Sequence, residues 1–65
     1  MSDNVLQNIA DTVNEINKNI INAQTLIDAM REAGETTAEL DAKLKGLVNR
    51  KQKWESMLKS RGYNV

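Results

Sequence analysis

Cysteine, histidine, proline and phenylalanine are all absent from these 65 residues, and each absence excludes something. Without Cys no disulfide can stiffen the chain, and without Cys or His the common zinc sites cannot be built. Without Pro nothing breaks a helix from within, and the first Gly is Gly34. Trp54 and Tyr63 are the only aromatics, so any core must be aliphatic. Apolar runs stop at pairs such as Ile20-Ile21, far short of the ~18 residues that suggest a membrane span. The start, Met1-Ser2-Asp3-Asn4, has neither the basic nor the apolar region of an export signal, and no Asn precedes Ser or Thr by two positions. A cytoplasmic location is therefore expected, the host cytoplasm if the source is viral. A chain this short forms one domain, whose core rarely supplies more than about 3–5 kcal/mol. With disulfides and zinc excluded, stability must come from helix packing, oligomerisation or a partner.

What is present is a heptad pattern. Leu6, Ile9, Val13, Ile16, Ile20, Ala23, Ile27 and Met30 recur at alternating intervals of three and four. Leu6, Val13, Ile20 and Ile27 take the a positions, and Ile9, Ile16, Ala23 and Met30 the d positions. This spacing predicts a helix over about residues 3–33, started by Ser2 or Asp3 as cap and ended by Gly34 in a left-handed conformation. Thr36-Thr37-Ala38-Glu39 then fits a capping box, with Thr36 as N-cap and Glu39 reaching back to it. The seam resumes with Leu40, Leu44, Leu47, Lys51, Trp54 and Leu58, predicting a second helix over about residues 37–61. Gly62 ends that helix, and Tyr63 stands where a Schellman motif folds its hydrophobe back onto Leu58. Glu39 with Lys43, Asp41 with Lys45 and Glu55 with Lys59 are acid-first pairs four residues apart, each worth about 0.2–0.5 kcal/mol. Gly46 is the weak point, about 1 kcal/mol less favourable than Ala in a helix interior.

A turn over residues 34–36 is short enough to force the helices antiparallel. Residues 1–65 therefore read as a single all-α domain, an antiparallel helical hairpin of the coiled-coil type. Its expected core is the two seams, Lys51 apart. Facing residue numbers should add to about 67–70, which sets Ile27 against Leu40 or Leu44 and Val13 or Ile16 against Trp54. Apolar residues also flank the seams: Val5, Ala10 and Leu26 on the first helix, Val48 and Met57 on the second, with Ile21 further round. A stripe this wide suits more than two helices, so pairing of two hairpins into a dimeric four-helix bundle is expected. In outline the chain resembles the small hairpin regulators that pair in this way, a likeness of shape that transfers no function. Short chains of this kind are expected of phage, plasmid and regulatory genes.

Three features bear on function. Lys51 stands at an a position between apolar layers, where a polar residue either fixes the assembly or lays its stem along the seam with its ammonium in water. No acid on the first helix answers it, so a buried Lys51 would need a partner from another chain. Second, charge is separated: residues 1–33 carry five acids and two bases, residues 34–65 four acids and seven bases. Lys43, Arg50, Lys53 and Arg61 are candidate phosphate contacts, although the bases surround the helix and also suit the negative end of its dipole. Third, Asn14, Asn17, Asn19 and Asn22 give the first helix a polar face with little charge, adaptable as a contact surface.

Catalysis has no foothold in such a chain: no His or Cys, no facing carboxylates, no phosphate loop and no concave pocket of ligand size are expected. No cofactor and no metal are expected. The leading expectation is a small non-enzymatic protein–protein interaction module, an adaptor, assembly factor or inhibitor acting as a homodimer, with Val5, Leu26, Val48, Met57 and Lys51 as candidate contacts. A heterologous protein partner, a nucleic acid held by the basic second helix, and a subunit role in a larger particle are the alternatives. A membrane-surface role is not expected, because the first helix covers the apolar face of the second.

Overall fold

The structure, a computed structural model, describes residues 2–63 and contains two helices, α1 (Ser2–Glu32) and α2 (Ala38–Ser60). They pack against each other as an antiparallel hairpin whose longest dimension is 49 Å. That length is set by α1, since 31 residues at ~1.5 Å each span about 46 Å. Neither helix is long and apolar enough to cross a membrane. The capping role expected of Ser2 or Asp3 falls on side chains outside the described residues.

Both helices end in the same way, and for the same reason. Gly34 adopts φ +79° and Gly62 φ +81°, the left-handed region that residues with a Cβ adopt only at a cost. The Gly34 N–H donates to the Arg31 carbonyl at 3.0 Å and the Glu35 N–H to the Met30 carbonyl at 2.9 Å. After α2, the Gly62 N–H donates to Lys59 at 3.0 Å and the Tyr63 N–H to Leu58 at 2.9 Å. These are two Schellman motifs, which satisfy carbonyls that a helix terminus otherwise leaves bare. At the second, Tyr63 packs back onto the cluster of Ala10, Val13 and Leu58, joined there by Leu6, Ile9, Trp54 and Met57.

The start of α2 differs from the capping box expected at Thr36. The cap residue is Thr37, with φ −115° and ψ 10°, and its hydroxyl makes no bond to a helix N–H. Those angles lie outside the extended region that aims a cap hydroxyl at the first turn. Thr37 Oγ1 instead donates to Asp41 Oδ2 at 2.9 Å, while Thr36 is exposed. Arg31 of α1 stands 3.6 Å from the other oxygen of Asp41. Asp41 is thus turned toward the interhelical turn and not toward Lys45. Of the three expected acid-first pairs none closes to 4 Å among the described residues, and such pairs at a surface gain little.

Candidate interaction surface

Burial along the seam is lopsided. Val13, Ile20 and Ile27 of α1 and Leu58 of α2, all at a positions, are buried, as is Ile16 at a d position. Leu6 and Leu44 at a positions are half-buried. The other six d residues, Ile9, Ala23, Met30, Leu40, Leu47 and Trp54, are half-buried as well. Ala10, which the sequence places on the flank, belongs instead to the core at 8% exposure. It occupies an e position, and e positions border the a row, whereas g positions border the d row. The contact between the helices is therefore displaced toward the e flank, and the d row, Ile16 at 3% exposure apart, lies along a partly covered edge. The Ala10 side chain is small enough for Leu58 and Tyr63 to close over it, which a periodicity of large apolar residues does not reveal.

The two flanks also differ chemically. On the e flank the helices are tied by polar side chains. Lys51 Nζ donates to Asn17 Oδ1 at 3.0 Å, Arg31 faces Asp41, and Tyr63 Oη donates to Gln7 Oε1. Adding residue numbers across these ties gives 68 for Asn17–Lys51, 70 for Gln7–Tyr63 and 72 for Arg31–Asp41, so the hairpin keeps one register to its tip. Lys51 is half-buried and answered from within its own chain, by an amide and not by a carboxylate. Sequence reasoning sought only acids and so passed over Asn17, which is drawn out of the polar asparagine face and into the fold. A depression of about 300 Å³ runs along this flank, walled by Asn14, Asn17, Lys51, Glu55 and Tyr63 among others.

The g flank carries no interhelical hydrogen bond or ion pair among the described residues. Its wall near the open end of the hairpin is formed by Val5, Leu6, Ile9, Met57 and Arg61 around a depression of about 380 Å³. Val5 is 58% exposed and Leu26, at the other end of the same flank, 50%. Met57 is half-buried; Val48, on the opposite flank, is also half-buried. Ile21 is 54% exposed at a b position, on the outer side of the e flank. Depressions of ligand volume therefore exist, contrary to the sequence expectation, but they are surface grooves between two rods. Among the described residues no three carboxylates gather as metal ligands.

The candidate phosphate contacts Lys43, Arg50, Lys53 and Arg61 are all exposed and do not form one site. Arg61 lies in the g-flank groove, whereas Lys53 lines a third depression on the outside of α2 with Asn49, Gln52 and Ser56. None of the four is ion-paired among the described residues. Gly46 has no heavy atom within 4 Å of the place a Cβ would take, so nothing in the chain itself requires a glycine there.

No protein family, no curated protein and no solved structure matches this chain. Any functional reading therefore rests on its own residues.

Proposed function

We propose that this chain is a small non-enzymatic protein–protein interaction module that works as a homodimer of helical hairpins, closed into a four-helix bundle, in the cytoplasm. Its biological task is that of an adaptor, assembly factor or inhibitor, which presents a helical surface in place of performing chemistry. The observation that carries this reading is the partly covered edge: six half-buried d residues flanked by exposed Val5 and Leu26. Apolar side chains gathered along one edge mark interaction sites, whereas isolated exposed aliphatics such as Ile21 do not. Shape supports it. The chain exposes 4943 Å², about a fifth more than the ~4,200 Å² of a compact monomer of its mass. The absence of His and Cys supports the non-enzymatic part, since those residues carry most nucleophilic and acid–base chemistry at neutral pH.

Sedimentation equilibrium of the whole chain at tens of micromolar tests the reading. The expected mass is twice 7.3 kDa, with Leu26→Lys lowering it toward 7.3 kDa while helicity at high concentration persists. A wild-type mass of 7.3 kDa would overturn it.

A second reading, nucleic-acid binding by α2, draws support from its exposed bases that lack acidic partners among the described residues. Retention on RNA or DNA that falls steeply with salt would favour it. Their dispersal around the helix makes it the weaker of the two.

A further inference from the structure

The hairpin is asymmetric in charge as well as in burial, and this asymmetry selects one way of pairing. We propose that two copies close about a two-fold axis parallel to the helices, so that α1 of each lies antiparallel on α2 of the other along their g flanks. This rests on the dimer reading above and specifies its partner surface. The occupant of the partly covered edge is a second copy of this chain.

Two closed arrangements bring two antiparallel hairpins face to face. With the axis across the helices, α1 meets α1 and α2 meets α2. With the axis along the helices, α1 meets α2. In the first arrangement the basic g positions of α2, Lys43 and Arg50, would share one seam with their own copies, among residues 34–65 that carry seven bases and four acids. Like charges brought together at an interface oppose it. The g positions of α1 are Val5, Thr12, Asn19 and Leu26, without a charge among them, on a helix that is itself net acidic.

Burial points the same way. α1 contributes five of the six buried apolar residues and α2 only Leu58. The helix most in need of cover is α2, whose Leu47 and Trp54 border the open edge, and the neutral flank of α1 is the surface suited to cover it. A face 49 Å by 14 Å offers roughly 700 Å² per copy before side chains are counted, close to the ~800 Å² per partner of a stable interface.

The register follows from the hairpin's own. A two-fold axis parallel to the helices leaves heights unchanged, so residues level within one chain are level between the two. The ties on the e flank add to 68–72, and the g positions pair within that range. Thr12 stands level with Met57 of the partner copy, Asn19 with Arg50 and Leu26 with Lys43, each pair adding to 69. Leu26 would lie along the four-carbon stem of a lysine whose ammonium remains in water.

The chain has no native cysteine, so introduced ones report the pairing without background. Asn19→Cys and Arg50→Cys are each made in the whole chain, at exposed positions, and their helicity and sedimentation mass are recorded first. The two variants are then mixed, unfolded, refolded together and oxidised with a glutathione couple. The expected product is the mixed Asn19–Arg50 disulfide, enriched about tenfold over either homodisulfide, as the high effective concentration inside a complex dictates. Homodisulfides of either variant in excess, or no disulfide from chains that sediment as dimers, would overturn this arrangement and leave the dimer reading standing. Chains that sediment at 7.3 kDa would overturn both.

Discussion

Lys51 of α2 reaches across the seam to Asn17 of α1, its ammonium 3.0 Å from the amide oxygen, with the stem half-buried in an otherwise apolar row. The contact lies at the surface, so its net contribution is set by two small opposing terms. Asn17→Ala loses one exposed hydrogen bond but gains helix propensity, and should change stability by no more than about 0.5 kcal/mol. Lys51→Leu keeps most of the volume and extends the apolar row, so it should raise stability by about 1 kcal/mol. Urea unfolding of both variants beside the wild type reads these values. A loss of stability in Lys51→Leu would show that the tie to Asn17 holds the hairpin together.

The start of α2 makes a sharper contrast between neighbours. Thr37 is buried at 9% exposure and donates to Asp41, whereas Thr36 is exposed. Thr37→Ala should cost about 1 kcal/mol, the usual value of a hydrogen bond in a folded protein, and leave Asp41 held by Arg31 alone. Thr36→Ala should be neutral within about 0.5 kcal/mol. Thermal melting of the two variants distinguishes them; the reverse order would restore the capping box at Thr36.

Ile20 and Ile21 are adjacent, chemically identical and differently placed. Ile20 is 8% exposed in the a row and Ile21 is 54% exposed. Truncating Ile20 to Ala removes buried methyl groups and leaves a cavity, a loss of roughly 2–4 kcal/mol that a fold this small can barely survive. Ile21→Ala should change the melting temperature little. Circular dichroism melts check both, and a larger loss from Ile21→Ala than from Ile20→Ala would mean that the heptad frame is shifted by one residue.

Much of this fold was legible because heptad spacing, Gly34 and Gly62 act locally. Three- and four-residue intervals specify an amphipathic helix, and a glycine past the last seam residue specifies its end. Less legible was anything set by how the two helices roll against each other. The sequence frame treats the a and d rows alike, yet the roll toward the e flank buries Ala10 and leaves Ile9, Leu47 and Trp54 half-covered. The partners of Lys51 and Asp41 were missed for a related reason. Pairing rules weigh opposite charges four residues apart, while Asn17 is a neutral residue and Arg31 lies on the other helix, so neither enters such a rule. Whether the d row is covered by a second copy is a property of the assembly, which no single-chain pattern contains.

Closure of the open edge by that second copy is read most directly from the thermal midpoint of the wild-type chain across a hundredfold range of concentration. A fold completed by association gains stability by mass action. The midpoint should therefore climb steadily, by several degrees over about two decades. A midpoint that stays constant across the whole range would contradict the claim that the open edge of this hairpin is closed by its own copy.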